Sequence, residues 1–201
     1  MRRRLTLGVA VGVAILTITA QSGEHVSGNH VLVIGDSLVH LSQDSVTSAL
    51  KPDGWQPVIE AQGGTTIEHW ESLVGPTAAF TKANVAVVEL GTNDCDTTCN
   101  DLGPAIDRIM TSLVHAGVGA VLWLNVQEVP AYPVHSRYVN FAIEQAAVRW
   151  PQMEVVDMRG LFDAHPEWRN PDGLHFNATG QQELGNLIRG DLASFIGGRR
   201  V

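Results

Sequence analysis

At 201 residues, 44 % of them hydrophobic and 17 % charged, the chain is long enough for one ordinary domain with a full core and too apolar to be disordered. Its 21 acidic and 13 basic residues give a formal net charge of −8. No basic patch appears in the pattern, which excludes a nucleic-acid partner.

Residues 1–20 stand apart. Arg2-Arg3-Arg4 precedes an uncharged stretch from Leu5 to Ala20, with Ile18 at the −3 position. This predicts a secretory signal peptide and hence a secreted or cell-envelope protein. A retained anchor is the alternative, although the apolar stretch falls short of the ~20 residues that span a bilayer comfortably. Residues 21–29 are polar and read as a linker, which leaves residues 30–201 as one domain.

From residue 30 onward, short apolar runs alternate with longer amphipathic ones. Strands are predicted at 30–35, 57–61, 85–91, 119–126 and 154–158, each rich in Val, Ile or Leu, as strands buried on both faces require. Helices are predicted at 42–50, at 65–79 with a break at Gly75-Pro76, at 104–115 with an apolar stripe of Ile106, Ile109, Met110 and Leu113, at 136–150 ending before Pro151, and at 178–195 with Asn177 as N-cap. The alternation predicts an α/β fold, a five-stranded parallel sheet covered by helices on both faces. A monomer is expected.

In such sheets ligands bind beyond the carboxyl ends of the strands. Gly35-Asp36-Ser37-Leu38 follows the first strand, Gly63-Gly64 the second and Gly91-Thr92-Asn93-Asp94 the third. Asp172-Gly173-Leu174-His175 follows the fifth. Ser37 is the candidate nucleophile; a serine hydroxyl needs a base to activate it. His175 is that base, and Asp172 orients its ring. The candidate oxyanion donors are the backbone N–H groups of Ser37 and Gly64 and the side-chain amide of Asn93. Asp36 and Asp94 are expected to brace their loops. Trp70, Trp123 and Asn125 are candidate substrate contacts, with burial in the core as the alternative for the tryptophans. Gln127 and Glu128 are open between substrate binding and plain solvation.

These segments, in this order, resemble the four blocks of the SGNH (GDSL) hydrolase superfamily, over nearly all of the chain from residue 30. The resemblance implies a single-domain, flavodoxin-like three-layer sandwich. It also implies a Ser37-His175-Asp172 triad, an oxyanion hole that includes Gly64 and Asn93, and acyl-ester substrates, either small molecules or carbohydrates. The second block departs from the usual Ser-Gly, reading Gln62-Gly63-Gly64-Thr65; Thr65-Thr66 matches the family's small polar residues and favours Gly64 as the donor.

No cofactor or metal is expected. Cys95 and Cys99, the two cysteines, would form a small disulfide in an oxidising compartment; a zinc pair lacks two further ligands at suitable spacing. Three other functions compete. Asp94-Cys95-Asp96-Thr97-Thr98 matches the nucleophile motif of haloacid-dehalogenase-like phosphatases, but no lysine follows Lys82. The same triad can pass an acyl group to a cell-envelope carbohydrate, as an O-acyltransferase, or remove one, as a deacetylase. A binding domain without catalysis is the third, and has no need of all four blocks.

Overall fold

The computed structural model describes residues 28–94, 102–128 and 133–199. Five strands, β1 (His30–Gly35), β2 (Gln56–Ala61), β3 (Val85–Glu89), β4 (Ala120–Leu124) and β5 (Met153–Val156), form one sheet in the order β2-β1-β3-β4-β5. Every neighbouring pair is parallel. The order reverses between β1 and β3, so a crevice opens at their carboxyl ends.

Alternation along β1 shows how the sheet is sandwiched. Val31 and Val33 point into one apolar layer, Leu32 and Ile34 into the other. The first layer lies under helices α1 (Ser37–Leu50), α6 (Met158–Asp163) and α7 (Ala178–Arg199). The second lies under α2 (Ile67–Trp70), α3 (Val74–Thr81), α4 (Leu102–His115) and α5 (Pro133–Arg149). All five residues of β3 and of β4 are buried, in keeping with sequences that are apolar throughout β4 and up to Glu89 in β3.

Several element boundaries differ from the sequence expectation. Helix α1 begins at Ser37, five residues earlier than the pattern indicates, because Asp36 caps it: Asp36 Oδ1 accepts the Leu38 N–H at 2.9 Å. The break in 65–79 lies between α2 and α3, ahead of Gly75-Pro76, which sits in the first turn of α3. A first-turn proline forfeits no helical hydrogen bond. The fifth strand ends at Val156, and Asp157 then caps α6 by accepting the Gly160 N–H. Asn177 caps α7 as expected, its Oδ1 accepting from Thr179 and Gly180. The signal-peptide segment and Cys95 and Cys99 lie outside the described residues.

Candidate active site

Ser37 stands immediately beyond β1 as the first residue of α1. Its backbone N–H is one of the first-turn amides that helix geometry leaves without an intrahelical acceptor. The cap explains the tight entry. Asp36 is completely buried; one oxygen holds the Leu38 N–H and the other accepts from Asn93 Nδ2 at 2.9 Å.

The histidine arrives on a hairpin-like loop that is largely self-supporting. Arg169 and Phe176 form an antiparallel bridge. The Asn170 N–H donates to the His175 carbonyl at 2.7 Å, and the Gly173 N–H to the Asn170 carbonyl at 2.9 Å. Within the turn, Asp172 Oδ1 accepts from the N–H groups of Leu174 and His175 at 2.9 and 3.0 Å. Its other oxygen, Oδ2, lies 2.8 Å from His175 Nδ1.

Tautomer and donor direction follow from chemistry. An ionised carboxylate only accepts, so His175 Nδ1 carries the proton and donates it to Asp172. Nε2 is then an acceptor, 3.0 Å from Ser37 Oγ, and the serine hydroxyl donates to it. These bonds, His175's first among them, push the Asp172 pKa down to about 2. The three side chains thus form one hydrogen-bonded line, Asp172 to His175 to Ser37, an arrangement that could supply an orienting acid, a base and a nucleophile for acyl transfer.

The oxyanion region is less simple than the sequence suggests. The Thr65 N–H donates to the Gln62 carbonyl at 3.4 Å, closing a turn in which Gly64 has φ +77°, a value that favours glycine. The glycine beside the nucleophile is Gly63. A Cβ on Gly63 would stand 3.7 Å from Ser37 Cβ, whereas one on Gly64 would meet nothing within 4 Å. Asn93 Nδ2 donates twice, to Asp36 Oδ2 and to the Thr65 carbonyl at 3.0 Å. That amide therefore ties together the loops after β1, β2 and β3. Asp94 adds another tie, both oxygens accepting from the Ile67 N–H at 2.9 and 3.1 Å. This engagement holds Asp94 in the loop. Burial raises its pKa to about 6.

Beneath Asp36 lies Glu89, the last residue of β3 and completely buried. The Asp36 N–H points at both the Glu89 carbonyl and Glu89 Oε2, at 3.3 and 3.4 Å. Burial, and then the negative Asp36, drive the Glu89 pKa well above the ordinary carboxyl range. Burial raises Asp36 too, against the Leu38 N–H that favours its charge; two adjoining buried carboxyls do not both ionise, and the larger rise at Glu89 places the shared proton there rather than on Asp36. A single acid inside the apolar run Val85–Glu89 was the available sequence signal for this pair.

Of the candidate substrate contacts, the two tryptophans take the alternative, burial in the core, and Asn125 is engaged elsewhere. Trp123 is wholly buried and its indole N–H donates to the Leu90 carbonyl at 3.3 Å. Trp70 is 6 % exposed and donates to Thr65 Oγ1 at 3.0 Å. Both belong to the core beneath α2–α5. Asn125 spends its amide on α6, donating to Asp157 Oδ1 and accepting from the Arg159 N–H at 2.8 and 2.6 Å. Neither solvation nor substrate describes Gln127, which is completely buried and bonded to the histidine loop.

The fold recurs in known structures. A lipase/acylhydrolase from Enterococcus faecalis is 17 % identical, with 83 % of this chain and 96 % of that one covered at a TM-score of 0.70. The C-terminal catalytic domain of peptidoglycan O-acetyltransferase A from Streptococcus pneumoniae, carrying a methylsulfonyl adduct, is 19 % identical over 86 % and 95 % at 0.65. A carbohydrate esterase family 3 protein from Talaromyces cellulolyticus is 17 % identical over 85 % and 99 % at 0.69. At such identities the likeness speaks for the fold. No curated protein sequence matches the chain. The GDSL-like lipase/acylhydrolase family model matches residues 33–183, a span that starts within β1 and holds β2 to β5 and both Ser37 and His175; by that match the chain belongs to this family, among the SGNH hydrolases.

Proposed function

We propose that this protein is a serine esterase that cleaves carboxylic esters through an acyl-enzyme. The reading rests above all on the 3.0 Å approach of Ser37 Oγ to His175 Nε2, with Asp172 on the far side of the ring. Ser37 attacks the ester carbonyl while His175 takes its proton, then returns it to the departing alcohol. Water repeats the sequence in reverse to release the acid. The developing oxyanion meets the Ser37 N–H and an N–H of the Gly63–Gly64 turn; Gly63, nearer the nucleophile, is favoured over Gly64. The Asn93 amide completes the hole, the oxyanion taking the place of the Thr65 carbonyl as acceptor.

Export through residues 1–20 and a Cys95–Cys99 disulfide belong to the same reading. An acetylated carbohydrate of the cell envelope is the narrower substrate, consistent with a fold shared with a peptidoglycan O-acetyltransferase domain and a carbohydrate esterase; on it the protein would act as a deacetylase or as a transferase.

The test is Ser37→Ala, assayed on short-chain nitrophenyl esters beside a panel of acetylated sugars and fatty-acyl esters. The expected result is loss of turnover with an unchanged circular dichroism spectrum and melting temperature. Activity at the wild-type level in that variant removes the nucleophile assignment.

A further inference from the structure

Apart from the His175–Ser37 contact itself and the packing of Phe176 on Phe162, the bonds that shape the 169–176 loop are internal to it. One buried side chain supplies a polar tie to the sheet. Gln127, three residues beyond β4 and completely buried, donates from Nε2 to the Leu174 carbonyl at 2.7 Å, one residue before the base. Its Oε1 accepts from Arg169 Nε at 2.8 Å, at the other strand of the same loop. The Gln127 amide therefore holds both sides of the histidine hairpin with its two ends. Arg169 is in turn anchored by Asp163 Oδ1 at 2.6 Å. Asp163 also meets Arg159, which bonds Glu128, the neighbour of Gln127, at 2.8 Å. The chain of charges closes on itself around the loop base.

We propose that Gln127, acting with Arg169, is a positioning residue for catalysis: it sets the placement of the His175 loop against the sheet that carries Ser37. This rests on the esterase reading of the same site. A buried amide with both ends engaged has one orientation, because reversing it would set a carbonyl against the Leu174 carbonyl and an N–H against the guanidinium. Displacements on the order of 1 Å between reacting groups cost about a hundredfold in rate. The residue touches neither substrate nor the reacting atoms; its effect passes through Leu174 to His175.

Two variants separate the amide's ends. Gln127→Glu keeps an acceptor for Arg169 but has no N–H for Leu174; Gln127→Leu removes both. Each is assayed for kcat and KM on nitrophenyl acetate and for the rate of phosphonylation by a fluorophosphonate, followed by intact mass, with kcat normalised to the sites that are phosphonylated. The expected result is a fall of about tenfold to a hundredfold in per-site kcat and in phosphonylation rate, with KM within about threefold of wild type. Lost folding alone would lower the fraction of active sites and leave per-site kcat unchanged. Arg169→Lys, at a partly exposed position, serves if neither glutamine variant folds, with the same fall in per-site kcat expected. Per-site kcat within twofold of wild type in the folded variants overturns the positioning role and leaves the esterase reading intact. A wild-type protein that neither turns over esters nor is phosphonylated overturns both.

Discussion

Asp172 is half exposed, yet its pKa lies at about 2 because His175 and two backbone amides donate to it. It therefore stays ionised across the range in which a neutral histidine base works. Sign follows directly: a carboxyl pKa depressed from 3.8 contributes stability above that value, and the contribution fades as pH falls toward 2. Asp172→Asn keeps the shape and removes the charge, and with it the preference for a proton on Nδ1. The expected effect is a drop in kcat of about a thousandfold to ten-thousandfold with little change in KM, read from steady-state kinetics on nitrophenyl acetate. A loss of less than tenfold would contradict the orienting role. Asp36 works differently, by holding its neighbours: its charge is stabilised by the Leu38 N–H and the Asn93 amide, while Glu89 below it keeps the proton.

Helices α1 and α7 carry the two halves of the site, Ser37 opening one and the His175 loop leading into the other. Their spacing is set by Gly185, where a Cβ would stand 2.9 Å from the Ser45 carbonyl oxygen and 3.1 Å from Ala49 Cβ. Backbone cannot yield as a flexible side chain does. Gly185→Ala is therefore expected to cost about 1–3 kcal/mol by overpacking, measured by urea unfolding; no loss of stability would show that the helices separate freely. At this scale the sequence was legible wherever the signal is local. Short segments rich in Val, Ile or Leu marked the five strands, and the four blocks at strand ends marked the rim. The start of α1 was missed because the expectation followed the stretch beyond His40 rather than Asp36, whose side chain caps the helix at the Leu38 N–H. Gln127, Trp70, Trp123 and Asn125 were misplaced or left open for another reason. Whether an indole or an amide faces the core, a neighbouring loop or a ligand depends on partners 5 to 47 positions away, which composition does not encode.

Taken whole, the molecule couples its site to its pH response through Asp94. Burial raises this carboxyl from 3.8 to about 6, so the native state binds the proton more tightly than the unfolded chain does. Its ionised form costs stability above pH 6, by about 3 kcal/mol from the size of the shift. That cost disappears as pH falls from 6 toward 4. Asp94→Asn, which does not titrate, is expected to unfold at higher denaturant than wild type at pH 7.5, with the difference closing by pH 4.5. Denaturant midpoints measured across that range check it, and a difference independent of pH would refute it.

The pairing of α1 with α7 has a consequence for biosynthesis. As the polypeptide leaves the ribosome, Ser37 emerges long before His175, and α7, into which the His175 loop leads, comes later still. Until α7 docks against α1, a nascent or prematurely terminated product holds the Ser37 hydroxyl without the imidazole that stands 3.0 Å from it in the folded protein.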